Sequence, residues 1–166
     1  LNAGDVLHKP TTISEVTHYL LSCIRQPAVA GGFTDIVDKE GNFLRTRRLA
    51  PDKDGLSWRD YKRGMLVCHQ AFFARTDLAK EHKYKLKYGL SADYDWSIRL
   101  MRTAEVRSLD VIVLPLTIAD YLYEGATTKH HRRSLIERLK IMAHHFGWPT
   151  ALAAHAWFVI RLFVKK

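Results

Sequence analysis

Two short acidic stretches carry the residues best placed for chemistry. In "SADYDW", Asp93 falls in the first turn of an expected helix, with Ser91 as its cap. The free backbone N–H groups and the dipole of a helix start favour a carboxylate there, so capping alone explains it. The same position also suits a general base. A carboxylate held rigidly at the edge of the core can take the proton of a sugar hydroxyl as that hydroxyl attacks. Asp95 stands four residues before Arg99, which reads as a surface ion pair. Trp96 and Leu100 share the Asp93 side of the helix and point it toward the core.

The second stretch is "LNAGD". Asn2 and Asp5 follow an apparent strand end, and Gly4 permits a tight turn. Loops at the carboxyl ends of strands are where open α/β sheets bind ligands. One carboxylate beside such a turn can hold Mg²⁺ or Mn²⁺ if a diphosphate supplies the other oxygens; a plain Asx turn explains the same residues. Two further segments are polar where polarity needs a reason. His69 and Gln70 interrupt the apolar "VCHQAFF", as satisfied core groups or as the wall of a pocket. "GATTKHHRRS" combines Gly125, Thr127, Thr128 and Lys129 with a helix start, so it is a phosphate-binding surface or a solvated cationic turn.

Positioning these residues requires alternating elements. A helix is expected over about Ile13–Arg25, with Val16, Tyr19, Leu20 and Ile24 inward and Pro27 as its stop. A hairpin follows, Phe33–Val37 and Phe43–Leu49 around Lys39–Asn42. "SWRDYKRGM" reads as a short helix, "MLVCHQAFFAR" as a strand and "TDLAKEH" as a helical turn. Then come a helix over about Ala92–Thr103 and the long apolar strand "DVIVLPLTIADYLY", bent or broken at Pro115. Two helices close the chain, one capped by Thr127 or Thr128 and ended by Gly147, the next opened by Pro149. The fold class is α/β, a mixed sheet flanked by helices, with two carboxyl-terminal helices, in a single domain over residues 1–166.

The chain of 166 residues is 47% hydrophobic and 26% charged, which is ordinary globular composition. Cys23 and Cys68 have neither disulfide-framework nor metal-finger spacing and read as buried thiols in a reducing cytosol. Adjacent histidines at 130–131 and 144–145 do not suit zinc. The net charge of +9, gathered around Arg45–Arg48, Lys83–Lys87 and Lys129–Arg133, favours anionic partners: diphosphates, nucleic acid or an acidic membrane. The run "ALAAHAWFVIRLFV" is too short and too charged to span a bilayer. It is a core-packing helix or a membrane-surface helix, with Trp157, Phe158 and Phe163 ahead of Lys165 and Lys166. "LNAGDVL" opens without an initiator Met and reads as the tail of a strand, so further chain is expected upstream.

Taken in order, "LNAGD", the hairpin, "GMLVCHQAFFAR", "LSADYDWSIRLM" and "DYLYEGATT" resemble the carboxyl-terminal two-thirds of family 2 glycosyltransferases, above all bacterial enzymes of surface-polysaccharide synthesis. The resemblance implies a partial GT-A, Rossmann-like fold and transfer of a sugar from a nucleotide-diphosphate sugar, with inversion, to a saccharide or lipid-linked acceptor. It implies Asp93 as the base, Asp5 as the acid that grips a Mg²⁺ or Mn²⁺ ion, and Asn2 where the metal motif usually has its earlier acid. Gly4 stands where some members carry another acid, and Ala92 replaces a further usual acid. Gly125, Thr127, Thr128 and Lys129 match a loop over the donor phosphates; His69, Gln70, Asp95 and Trp96 match the acceptor side or pocket wall. The amino-terminal nucleotide-binding half of that family lies outside this sequence. The implied location is the cytoplasm, or its boundary with the inner face of the membrane. The competing readings are a non-catalytic fragment or interaction domain and a basic nucleic-acid-binding module; the latter lacks interleaved aromatics and a helix-turn-helix.

Overall fold

The computed structural model describes the chain except residues 3, 54, 124–130 and 165–166, and except the side chains of 131, 159 and 161–164. In chain order the elements are β1 (Val6–Leu7), α1 (Thr12–Leu21), β2 (Val29–Val37), β3 (Phe43–Thr46), β4 (Phe72–Ala74), α2 (Thr76–Glu81), α3 (Ala92–Val106), β5 (Val111–Leu122), α4 (His131–Phe146) and α5 (Trp148–Val164). Short 3₁₀ turns occupy Trp58–Arg63, His69–Ala71 and Leu86–Ser91.

The sheet is mixed and open, as the alternation of patterns predicts. Its order is β1-β5-β2-β3, and β4 pairs with β2. The central pair, β2 and β5, is parallel and is connected through α3; all other pairings are antiparallel. β4 covers Val29–Gly31 and β3 covers Asp35–Val37, so the two short strands share one edge of β2. The expected hairpin is present, and β2 begins four residues earlier than its pattern suggests. Its turn is built by Asp38, whose Oδ1 accepts from the backbone N–H groups of Glu40 and Asn42 at 3.0 and 2.8 Å.

β5 runs unbroken through Pro115. A proline in a central strand must avoid the ladder, because it has no N–H to give. Here the β2–β5 register is irregular between Gly31 and Phe33, and pairing passes from Val113 to Thr117. Pro115 sits in that gap. Close packing sets Gly31: a Cβ there would lie 2.7 Å from Val67 Cγ2.

The core joins Val29 and Ala30 of β2, Leu114 and Ile118 of β5, Ile98, Leu100 and Met101 of α3, and Ile141 and Met142 of α4. α3 keeps its apolar spacing beyond the expected end and reaches Val106. α1 stops at Leu21, well short of Pro27. Val16 is buried and Leu20 packs on the core, but Tyr19 and Ile24 are exposed. Three or four residues of matching period do not bury themselves without a surface to receive them. "MLVCHQAFFAR" is a strand only at Phe72–Ala74; its polar pair lies in the 3₁₀ turn before it. Ser91 does precede α3, but its Oγ lies 3.4 Å from Ser134 in α4 and makes no cap bond. Cys68 is buried as expected, Cys23 only partly, and neither is disulfide-bonded. Among the described residues no helix is long and apolar enough to cross a membrane.

Candidate active site

Asp5 is fixed by the turn that precedes it. Gly4 adopts φ +89°, a conformation that side chains disfavour, and a Cβ there would meet Leu122. The Asp5 carboxylate then reaches the end of β5, where the backbone N–H of Leu122 donates to Oδ1 at 3.2 Å. Oδ2 accepts from the backbone of Asn2 at 3.2 Å and from Gln70 Nε2 at 2.6 Å. Gln70 is held in turn by the Cys68 thiol, which donates to its Oε1 at 2.6 Å.

Asp93 comes from the other end of the chain's topology. It sits in the first turn of α3, with Oδ1 accepting from the Tyr94 N–H at 2.8 Å and Oδ2 3.2 Å from His69 Nδ1. The neighbouring residues His69 and Gln70 therefore hold one acid each. That explains two polar side chains within an apolar segment: they are the coupling between "LNAGD" and "SADYDW". His69 lines the hollow between the acids, Gln70 is buried and reaches it only through Asp5, and neither lies in a strand.

The two acids open onto one hollow of about 940 Å³. Asn2, Asp5, His69 and Asp93 line it together with Arg47, Tyr84, Tyr121 and Arg138. A volume of this order suits a small-molecule ligand. Among the described lining residues, two guanidinium groups offset two carboxylates. Arg47 is anchored by backbone carbonyls, donating to Met65 at 2.6 Å, to Leu66 at 2.9 Å and to Leu49. Burial pushes its pKa down from the ordinary arginine value. Arg138 has a buried Nε that donates to nothing among the described residues. An unsatisfied guanidinium N–H beside a hollow is a ready donor to an anion. Sequence reasoning noted the basic run around Arg47 but gave it no place at the site, and Arg138, Tyr84 and Tyr121 carried no signal of their own.

The other expected residues divide. Asp95 is not in the hollow and is not a surface ion pair. It is fully buried, with Arg99 Nε at 2.7 Å, His145 Nε2 at 2.8 Å and Lys85 Nζ at 3.8 Å. Burial alone raises its pKa, but the hydrogen bonds from His145 and Arg99 outweigh burial and hold it at about 2. The expected pairing with Arg99 is present; its setting is changed because α4 brings His145 over the same face. Trp96 also lies behind the hollow, its ring 5.1 Å from that of Tyr84, which does line it. Gly125, Thr127, Thr128 and Lys129 lie outside the described residues.

A group that could hold a metal ion is found elsewhere. His8, Asp35 and Asp120 offer ligand atoms within 4.8 Å of one another. Asp35 and Asp120 face each other across the parallel β2–β5 pair, and His8 Nδ1 is 2.8 Å from Asp120 Oδ1. Their strand neighbours Ile36 and Tyr121 line the hollow, whereas none of these three residues does. Asp5 is not part of it. The sequence holds these three residues far apart, and only strand register brings them together.

Cys68 beside His69 and Asp93 invites comparison with a cysteine nucleophile. Burial pushes the Cys68 thiol pKa up, and its proton is committed to Gln70, which is the reverse of what a thiolate nucleophile needs. No protein-family model matches the chain, and no curated protein is significantly similar to it.

Proposed function

We propose that the chain is the acceptor and catalytic part of an inverting, GT-A-type glycosyltransferase of the family 2 kind that builds bacterial surface polysaccharide. The observation that carries this reading is the convergence of Asp5 and Asp93 on one hollow beside Arg47 and Arg138. In this reading a nucleotide-diphosphate sugar and a saccharide or lipid-linked saccharide meet there. Asp93 Oδ2 takes the proton of the acceptor hydroxyl as its oxygen attacks the anomeric carbon. The bond from that carbon to the diphosphate oxygen breaks, and the electron pair leaves with the diphosphate. Attack from the face opposite the leaving group inverts the centre. His69 orients Asp93, and the guanidinium groups of Arg47 and Arg138 favour the charge that develops on the departing diphosphate.

Asp5 fits a divalent cation only in a limited way. Its two oxygens already accept three hydrogen bonds, and no second carboxylate of the hollow stands in the same turn. Asp5 would give Mg²⁺ or Mn²⁺ one ligand, with diphosphate and water supplying the rest. A bound cation there supplies neutralisation of the diphosphate charge. The reading implies a cytoplasmic reaction, at the inner face of the membrane when the acceptor is lipid-linked.

The decisive experiment is Asp93→Asn in the full-length protein. Transfer from nucleotide-sugar donors should be lost while calorimetric binding of the nucleoside diphosphate persists. Near-normal transfer by the variant would remove Asp93 as base and the mechanism with it.

A further inference from the structure

Helix α5 is apolar over nearly all its length, yet among the described residues one side of it is covered and the other is exposed. Ala151 is fully buried, and Ala154 and Phe158 pack on the core. His155, on the same side, lies with Nε2 3.3 Å from the Leu135 carbonyl of α4. The opposite side is exposed at Trp148, Leu152, Ala156 and Ile160, and alongside them at Pro149, Ala153 and Trp157. This spacing of four draws one continuous stripe, and every described side chain in it is apolar. Trp148 and Trp157 are 58% and 60% exposed, and Leu152 and Ile160 are 55% and 50%. Such a stripe on a water-facing helix needs a partner.

The rim of the stripe says which partner. A hollow of about 770 Å³ runs along α5, and Arg48, Lys62 and Arg63 line it with Trp157. Among the described residues no carboxylate lines it. We propose that this face of α5 docks the protein on a bilayer surface containing anionic phospholipid, with the helix lying in the headgroup plane. Tryptophans favour that depth, aliphatic groups reach the acyl boundary, and clustered cations meet the lipid phosphates. The helix of 17 residues is about 25 Å long at 1.5 Å per residue, and it lies on the bilayer rather than across it. A second copy of the chain is a poor occupant. A two-fold interface sets the same patch against itself and would oppose three cations with three cations.

The docking face adjoins the hollow of the active site. Arg47 lines that hollow and Arg48 the α5 groove; Met65 and Arg63 divide in the same way. The docking itself does not depend on the chemistry of the hollow. Under the transferase reading, it would bring a lipid-anchored acceptor within reach of Asp93.

Co-sedimentation of the full-length protein with vesicles tests this, in the absence of donor and acceptor. Vesicles of phosphatidylglycerol and phosphatidylcholine should bind the protein, and pure phosphatidylcholine should bind it at least about tenfold less. Leu152→Glu with Trp157→Ser should lower the partition coefficient by about tenfold or more while the melting temperature and far-ultraviolet circular dichroism stay unchanged. Arg48→Glu with Lys62→Glu should abolish the preference for phosphatidylglycerol. Absence of binding to the anionic vesicles at low salt, or equal binding by the α5 variant, would overturn the proposal. So would a dimer in light scattering that Leu152→Glu dissolves, because the stripe would then be an interface between copies. None of these outcomes touches transfer by Asp93, so the two readings fail separately.

Discussion

Asp93 and Asp95 are two residues apart on one helix and live in different worlds. Asp93 opens onto a hollow, partnered by a histidine and a backbone N–H. Asp95 is sealed beneath α4 by Arg99, His145 and Lys85. Two residues along a helix is a turn of about 200°, so neighbours in sequence address opposite sides. The lesson is that an acidic pair in a motif can split its labour: one carboxylate is kept accessible, the other anchors the element that presents it. Asp95 ties α3 to α4 and so steadies the helix start that carries Asp93.

The largest effect should come from the exposed member. Asp93→Asn is expected to reduce transfer by about 10²- to 10⁴-fold in steady-state assays, with little change in the urea midpoint. The buried member should behave in the reverse way. Asp95→Ala leaves Arg99 and His145 facing an uncompensated site and should cost about 3–5 kcal/mol in chemical denaturation, with activity falling only as the folded fraction falls. If Asp95→Ala instead kept the wild-type stability and lost transfer, the division of roles would be reversed.

Acid sharpens the contrast. The folded pKa of Asp95, about 2, lies below the ordinary value of 3.8. Its contribution is therefore complete above pH 4 and disappears as pH falls through the folded value. Wild-type stability should decline by about 2 kcal/mol from this group between pH 4 and pH 2, and Asp95→Asn should flatten that part of the curve. Smaller still is the orienting role of His69: His69→Ala should slow transfer by about tenfold and leave nucleotide binding alone. Asp5→Ala should instead weaken metal-dependent binding of nucleoside diphosphate, measured by titration with and without Mn²⁺, and spare binding in its absence.

Much of the site was legible because its elements are local. "LNAGD" announces a turn through Gly4, and "SADYDW" announces a helix start; both are present, although the turn leads into β1 instead of following a strand as expected. His69 and Gln70 were visible as misplaced polarity, although not as the residues that link the two acids. Asp95 was misread because an i,i+4 arginine explains it fully within one helix, while its burial depends on His145, fifty positions later. Arg138 was invisible, since one arginine on a helix face has no spacing to mark it. The His8, Asp35 and Asp120 group arises from register between strands, which no single stretch encodes.

By itself the sequence determined most of the run of strands and helices, the hairpin turn after Asp38, and the local conformations that aim Asp5 and Asp93, because periodicity, capping and glycine φ act over a few residues. Only the tertiary structure decided which of two neighbouring carboxylates meets solvent, that two acids from distant segments share one hollow, and which side of an apolar helix stays uncovered. Those outcomes depend on what packs against each element, and burial is a property of the pair in contact rather than of either partner's sequence.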